Sequence, residues 1–369
     1  MRNKSLISTS QFVWMLFCVI TSFTVLQIPG LLIEFAGRDS WLAVIVAWIL
    51  DVLLAIVYAR MGLRFPGQNC AQYSVSVLGK TWGKIVGMLF PVFFLFVAAC
   101  LMRALAELIS SLFLPRTPIS VFLFLAFLIV AYGVKKGIEG IARICAVLGP
   151  IFLASLLVMF AFLIPDIELH RLLPIFADGA RPILTSAPYI LSFIGICIIM
   201  GMYIPICNKP ENGFLAKFIS VSIGAVMIIM LIVLSIGIFG AEHAGQMINP
   251  GYRLLRLLRL GSFFERLEII WLVITFSAGI MTAANLIWAF CLGTSQLLSL
   301  RSHKLLVNPA VLIAFVLSVL SFDNISELLD FTLYSYPFIG IFVQTGVEMF
   351  LFLTAVIFGK RGKAGGAES

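Results

Sequence analysis

The chain has 369 residues, of which 62% are hydrophobic and only 11% charged, and its formal net charge is +8. Soluble domains carry roughly 25% charged residues, so the composition excludes an ordinary soluble protein. It predicts one integral membrane domain over residues 1–369. The basic residues lie mostly in short connections between apolar segments, a pattern typical of membrane orientation and not of nucleic-acid binding.

Apolar segments long enough to cross a bilayer, about 17–25 residues, recur along the whole chain. We predict an all-α protein with about ten transmembrane helices. The segments are 11–36, 40–62, 83–113, 118–134, 141–164, 183–206, 217–241, 263–299, 305–322 and 335–358.

The connections differ in their content of lysine and arginine. One set of alternating connections, which includes both termini and Lys217, holds sixteen basic residues, whereas the other set holds eight. Because basic residues stay on the cytoplasmic side, we predict that both termini are cytoplasmic and that 359–369 is a short cytoplasmic tail.

The first apolar segment contains a proline followed by a glycine near its centre. Pro29 lacks an amide proton, and Gly30 tolerates non-helical dihedral angles. Backbone groups freed at membrane depth must line a cavity or bind something. The sequence therefore predicts a broken first helix of the kind that secondary transporters use as a substrate site.

Ten spans divide into two repeats of five, over about 11–164 and 183–358. In an inverted five-helix repeat the sixth span is the symmetry mate of the first. We therefore predict a second break near Ser192–Gly195. The alternative is that Gly195 and Gly201 only allow close helix packing.

Two broken helices offer complementary groups to a small zwitterion. Amides at a half-helix N-terminus bind a carboxylate, and freed carbonyl groups accept from an ammonium group. The alternative for the first span is a proline kink in a packed helix. The candidate ligand-binding residues are Gln27, Pro29, Gly30, Leu31, Ser192, Phe193 and Gly195.

Five charged residues lie within or at the ends of spans, where ionisable groups are costly and often functional. Asp51 and Glu348 fall mid-span, and each could relay a proton, hold a cation or pair with a base. Glu348 could also face a partner subunit. Arg103 and Glu107 are four residues apart, which suits a self-neutralising helical pair or a charged outer vestibule. Glu268, near the outer end of its span, could attract a cationic ligand group.

Arginine recurs at every third position in the segment Gly251–Gly261. This spacing is typical of a voltage sensor, but the segment is too short to span a bilayer. We predict an amphipathic helix on the outer surface. Arg253, Arg256 and Arg259 would then dock a partner protein or lipid headgroups.

The chain lacks the common motifs of enzymes. It has no P-loop, no H-E-x-x-H and no G-x-S-x-G pattern, and its seven cysteines are scattered without a C-x-x-C. We expect neither catalysis, nor a cofactor, nor a metal site.

Three stretches carry a family resemblance, and it covers nearly the whole chain. They are Leu26–Gly30 followed by Glu34–Trp41, then Tyr203–Pro205 followed by Asn208–Glu211, and finally Phe263–Glu268. In this order and spacing the chain resembles the spore germination permeases, the B subunits of spore germinant receptors, within the amino acid–polyamine–organocation superfamily. The family's first break is glycine-rich, whereas Pro29 here is followed by one glycine.

The resemblance implies a permease-like fold in the inner membrane of a bacterial spore. It further implies a small nutrient ligand, typically an amino acid, and partnership with an A subunit and a lipoprotein C subunit.

Three functions remain open from the sequence: a nutrient-sensing receptor subunit, a proton-coupled amino-acid transporter, and an ion or water channel. A coupled transporter needs an ionisable group beside its substrate. Asp51 is the only mid-membrane carboxylate in the first five spans, and neither predicted break contains an acidic residue. This favours sensing.

Overall fold

The computed structural model describes residues 6–113, 116–247, 249–257 and 267–362. Within these ranges the regular structure is helical, apart from one isolated parallel bridge between Ile7 and Cys207. The predicted all-α class is therefore confirmed. The boundaries of the two repeats, 11–164 and 183–358, stay a prediction.

Six α-helices lie in the first half of the chain, within the residues that the structure describes. They are α1 (Thr9–Ala36), α2 (Ser40–Arg64), α3 (Cys70–Leu78), α4 (Lys80–Leu112), α5 (Ile119–Lys136) and α6 (Ile138–Leu163).

The described residues of the second half form ten α-helices, several of them short. They are α7 (Arg181–Ile194), α8 (Met200–Tyr203), α9 (Gly213–Phe239), α10 (Ala241–Gly245), α11 (Pro250–Leu257), α12 (Leu267–Leu297), α13 (Val307–Leu320), α14 (Ile325–Asp330), α15 (Tyr336–Ile341) and α16 (Glu348–Ile357).

The ten predicted apolar segments coincide with helices wherever the structure describes them. Nine helices within the described ranges are long and apolar enough to cross a membrane, by length and composition.

Helix α1 is central and runs without interruption through Pro29. It begins with a capping box, in which Ser8 Oγ accepts from the Gln11 amide at 3.2 Å and Gln11 Oε1 accepts from the Ser8 amide at 2.9 Å. The helix packs against α6, α7, α9 and α12. The predicted break at Pro29–Gly30 is therefore wrong for this conformation. Proline removes one amide donor, and the surrounding helices hold the α-helical path despite that loss.

The sixth span is interrupted at the predicted place. Helix α7 ends at Ile194, residues Gly195–Ile199 form a 3₁₀ helix, and α8 continues the span. A 3₁₀ stretch inside a helix often marks a hinge or a strained sequence. The position of the break is confirmed, and its form is a tightening of the helix.

The last span also departs from regular α-helix. Two π-helical turns, Phe331–Ser335 and Phe342–Val347, separate α14, α15 and α16. Extra residues in a helical turn re-aim the side chains that follow, and such turns are frequent at functional sites. Helix α15 packs directly on α7, so the two irregular spans meet.

Helix α11 has the predicted amphipathic character over Pro250–Leu257. Leu254 and Leu255 are buried, whereas Arg253 and Arg256 are exposed. Its apolar face packs against α1, α9 and α12, so this face is covered by the protein itself.

Candidate functional site

The interruption of the sixth span leaves a buried backbone acceptor. Ser192 is fully buried, and its hydroxyl donates to the Tyr189 carbonyl at 2.6 Å. The Ser192 carbonyl accepts from Gln344 Nε2 at 2.9 Å and from the Tyr336 hydroxyl at 3.4 Å. The sequence predicted that carbonyls here would receive a ligand's ammonium group. In this conformation side chains of the last span donate to the Ser192 carbonyl in place of a ligand.

Two glycines allow the last span to approach so closely. The carboxamide of Gln344 lies directly where a side chain on Gly195 would have to stand. A Cβ on Gly340 would lie 3.1 Å from the Ser192 Cβ, tighter than ordinary packing. Phe193 and Tyr336 also contact each other, with ring centroids 4.6 Å apart. The three predicted sixth-span residues therefore face side chains of the protein itself.

A buried ion pair lies one contact further away. Lys217 Nζ is 2.8 Å from Asp51 Oδ1, and the two side chains are 0% and 1% exposed. The same ammonium group lies 4.3 Å from the centroid of the Tyr58 ring, a cation–π contact. The Tyr58 hydroxyl donates to the Gln344 carbonyl at 2.9 Å. A chain of side-chain contacts thus links α2 and α9 to the last span.

Asp51 therefore pairs with a base, one of the three roles that the sequence left open. The sequence does not predict this partner, because Lys217 stands at the edge of an apolar segment and the charge pattern places it in a cytoplasmic connection. The structure buries it completely in α9. One pattern in the sequence does indicate this pair. The second and seventh spans are symmetry mates, and they carry opposite charges.

Glu348 forms a second buried contact. Its side chain is 1% exposed, and its Oε1 accepts from the Tyr73 hydroxyl at 2.6 Å. Its Oε2 has no hydrogen-bond partner within the described part of the chain. The expectation that Glu348 faces a partner subunit is wrong, because α3 folds back against α16 and covers it.

Arg103 and Glu107 form the self-neutralising pair that helical spacing suggested. Arg103 Nη2 lies 2.8 Å from Glu107 Oε1, and both side chains are buried. Arg103 Nη1 also donates to the carbonyls of Ser318 and Val319, each at 3.2 Å. These carbonyls belong to the last turn of α13, where a cation is favourable. The pair thus fastens α4 to α13, and the structural interpretation is favoured over a vestibule lining.

Helix α1 makes its own polar contact, with α12. Ser22 Oγ donates to Thr282 Oγ1 at 2.9 Å, and Thr282 Oγ1 donates to the Cys18 carbonyl at 2.9 Å. Such hydroxyl contacts join helices in apolar surroundings. They lie between helices of the two halves of the chain.

The predicted first-span ligand residues occupy regular helix. Pro29, Gly30 and Leu31 are buried, and amides within a continuous helix donate along it, so they are not free for a carboxylate. The side chain of Gln27 lies outside the described part. Leu31 lines a cavity of about 260 Å³ at the end of α1, together with Glu34, Ser326 and Asp330.

A larger cavity, of about 720 Å³, lies beside the loop that follows α6. Arg38, Arg171 and His243 line it, and Arg38 fastens the loop by donating to the Leu173 carbonyl at 2.6 Å. The neighbouring Asp39 accepts from the Phe176 amide at 2.9 Å. The loop is thereby held over the ends of α1 and α9.

The remaining predicted residues are partly outside the described ranges. Arg259 and the side chain of Glu268 lie outside them, whereas Arg253 and Arg256 project from α11. Within the described part, no group of three or more histidine, cysteine, aspartate or glutamate side chains is arranged to hold a metal ion. The docking role of the arginines stays a prediction.

An interrupted sixth span packed against a central first helix defines a class of membrane protein, the transporter fold with two inverted repeats. A solved nucleobase-cation-symport-1 family transporter, Mhp1, in a closed conformation with bromovinylhydantoin bound, superposes with a TM-score of 0.66 at 14% identity. That match covers 91% of this chain and 77% of the other. A Na⁺-coupled sialic acid symporter gives a TM-score of 0.61 at 12% identity, covering 95% and 90%. These likenesses establish the fold.

The family follows from sequence comparison. A family model described as "Spore germination protein" matches residues 6–326, so the chain belongs to the spore germination permease family. It is 24% identical to spore germination protein KB of Bacillus subtilis over 359 residues, 96% of this chain and 95% of that protein. It is 25% identical to spore germination protein YndE of the same organism, over 79% of this chain and 81% of that one. The family resemblance in the sequence is confirmed.

Proposed function

We propose that the chain is the nutrient-sensing membrane subunit of a spore germinant receptor and binds a small nutrient such as an amino acid. The observation that carries the proposal is the interrupted sixth span, whose buried Ser192 carbonyl accepts hydrogen bonds from two side chains of the last span. Membership of the spore germination family supports the biological setting. A non-enzymatic role fits the transporter fold of the solved neighbours.

The ligand site proposed here lies between α7 and the last span. Ser192, Phe193 and Gly195 contribute from one side. Helix α1 packs against the same 3₁₀ stretch, and we assign Gly30 and Leu31 of α1 to the other side of the site. Their contribution requires α1 to open at Pro29 when ligand binds.

Partners and location are part of the same proposal. We infer A and C receptor subunits as partners, the spore inner membrane as the location, and cytoplasmic termini. Ile7 pairs with the chain at Cys207, and the Gly362 amide donates to the Arg64 carbonyl. Each terminus thus contacts a connection of the lysine- and arginine-rich set, which supports one shared side.

A proton-coupled transporter is the second candidate, and the buried carboxyl of Glu348 favours it. Its Oε2 has no hydrogen-bond partner within the described residues, and carboxyl groups inside spans are typical of proton relays. Sensing remains the first candidate because Asp51 is neutralised by Lys217 and is not free to couple. Ion or water passage would require a continuous polar path, and the same flux measurement tests it.

The test begins with thermal unfolding of the purified protein in the presence of single amino acids or sugars. A ligand that binds the native state raises the midpoint of unfolding. A responding compound is then supplied, radiolabelled, to proteoliposomes containing the protein. Stabilisation without uptake supports sensing, whereas uptake driven by a proton gradient establishes the transporter instead. Normal nutrient germination by spores that lack the chain would contradict the receptor proposal.

A further inference from the structure

The side chain of Gln344 lies where a ligand would have to bind. Its Nε2 donates to the Ser192 carbonyl at 2.9 Å, and its carboxamide lies against Gly195 in the space that a side chain there would take. We propose that Gln344 closes the interrupted sixth span as an internal substitute for ligand, and that a molecule bearing an ammonium or amide N–H group acts by displacing it. This inference rests on the proposed function and names the chemistry of its ligand.

The chemistry of the ligand follows from the group that Gln344 satisfies. A buried carbonyl without a donor is costly. Ser192 is fully buried, and when Gln344 leaves, the Ser192 carbonyl keeps the Tyr336 hydroxyl at 3.4 Å. That distance is long for an O–H donor, so a new donor in place of Nε2 favours the exchange. Ammonium and amide groups supply such a donor, whereas a purely acceptor molecule such as a carboxylate without nitrogen does not.

The local backbone allows the exchange. Gln344 belongs to the π-helical turn Phe342–Val347, where one extra residue per turn is accommodated. Conversion of a π-helical turn to regular α-helix rotates every following side chain. Glycines at 195 and 340 remove the side chains that would otherwise block sliding between α7 and the last span.

The contacts of Gln344 also provide a route for the signal. Its carbonyl accepts from the Tyr58 hydroxyl at 2.9 Å, and the Tyr58 ring lies under the ammonium group of Lys217. Lys217 in turn pairs with Asp51 across α2 and α9. Rotation of the last span at Gln344 therefore breaks the Tyr58 contact and changes the surroundings of a buried ion pair. Two discrete arrangements of one element, biased by a ligand, are what a switch requires.

The first experiment removes the internal donor. Gln344→Leu keeps the side-chain volume but cannot donate to Ser192. We expect backbone amides of Gly195–Ile199 to exchange with deuterium about tenfold faster in the purified variant than in the parent. Spores carrying it should germinate in buffer without nutrient. The matched control is Thr332→Val on the same span, whose buried hydroxyl donates only within its own helix, to the Leu328 carbonyl.

A second variant keeps glutamine and expels it sterically. Gly195→Ala places a methyl group where the carboxamide lies, so it should reproduce the faster exchange and the nutrient-free germination. Gly195→Ala therefore tests the same closure if Gln344→Leu fails to fold. Parent-like exchange at Gly195–Ile199 in both folded variants overturns the inference.

The third variant separates closure from signalling. Tyr58→Phe removes the hydroxyl that contacts Gln344, so exchange at Gly195–Ile199 should stay near the parent's value while the germination response to nutrient is lost. Tyr132→Phe is its control, because Tyr132 also lies beneath a lysine, Lys136 at 5.2 Å, but is exposed. An unchanged response in Tyr58→Phe spores contradicts the route.

The exchange measurement needs no spores, so the two proposals fail separately. Normal germination by spores lacking the chain refutes the receptor role. Exchange that is insensitive to Gln344→Leu and Gly195→Ala refutes closure by Gln344, whatever the spores do.

Discussion

The two helices that the sequence predicts to be broken behave differently. Helix α1 carries Pro29 and stays continuous, whereas the sixth span carries Gly195 and is interrupted. In α1 the hydroxyls of Thr21 and Thr24 donate to carbonyl groups of the same helix, at 2.7 and 2.6 Å. In the sixth span a side chain from another helix, Gln344, binds the freed carbonyl. An interruption thus persists where a tertiary partner receives the freed group, and a proline alone does not produce one.

The largest effect on stability is expected at the Asp51–Lys217 ion pair, which is linked through Tyr58 and Gln344 to the interrupted sixth span. Lys217→Met leaves Asp51 charged, buried and unpaired, so we expect a loss of about 3–5 kcal/mol of unfolding free energy. Amide exchange should rise at Gly195–Ile199 and stay unchanged in α1 around Pro29. Thermal unfolding in detergent and hydrogen exchange measure the two effects.

The control for that prediction is the double variant Asp51→Leu with Lys217→Met. Replacing a buried pair by apolar residues of similar size is often neutral or stabilising, so most of the lost stability should return. Equal destabilisation in the single and the double variant would show that packing volume, not the unpaired charge, is responsible.

Matched alanine substitutions should shift stability in opposite directions at the two helices. Gly195→Ala crowds Gln344 and should cost about 1–3 kcal/mol. Pro29→Ala restores an amide donor to a continuous helix and should add about 1 kcal/mol. Thermal unfolding of the two purified variants checks both signs. Destabilisation by Pro29→Ala would mean that Pro29 fits its site better than a regular helical residue, and would weaken the contrast.

The Pro29→Ala variant also tests whether α1 takes part in ligand binding. If α1 opens at Pro29 when nutrient binds, Pro29→Ala should reduce the nutrient response although the protein is more stable, because the added bond must be broken. Full nutrient response in Pro29→Ala spores would confine the ligand site to the sixth span and its contacts with the last span.

A smaller effect is expected where α1 meets α12. Ser22→Ala and Thr282→Val each remove one hydroxyl from a buried contact, so each should cost about 1 kcal/mol. Because the hydroxyls bond to each other, the double variant should lose less than the sum of the single losses. Thr354→Val is the control, because its exposed hydroxyl bonds only to the Phe350 carbonyl in its own helix. Additive losses would show that the two hydroxyls act independently.

Local patterns in the sequence predicted the features that depend on neighbouring residues along the chain. Apolar length located the spans, Gly195 located the interruption, and the leucine–arginine alternation located α11. The features that were missed depend on residues distant in sequence. The burial of Lys217 requires Asp51, 166 positions away, and the environment of Glu348 requires α3 to fold back against α16. Neither partner can be chosen from a single sequence in which every span is similarly apolar.

The smallest effect on stability is expected at the exposed arginine face of α11. Arg253 and Arg256 are exposed on this helix, so replacing both with glutamate should change the unfolding free energy by less than about 0.5 kcal/mol. We expect the double variant to keep the parent's exchange at Gly195–Ile199 but to recover less of the A and C subunits on co-purification. The leucine face of α11 is already covered by α1, α9 and α12, which leaves the arginine face as the part available to a partner. Normal co-purification with a normal nutrient response would remove α11 from the assembly surface and leave lipid headgroups as its remaining contact.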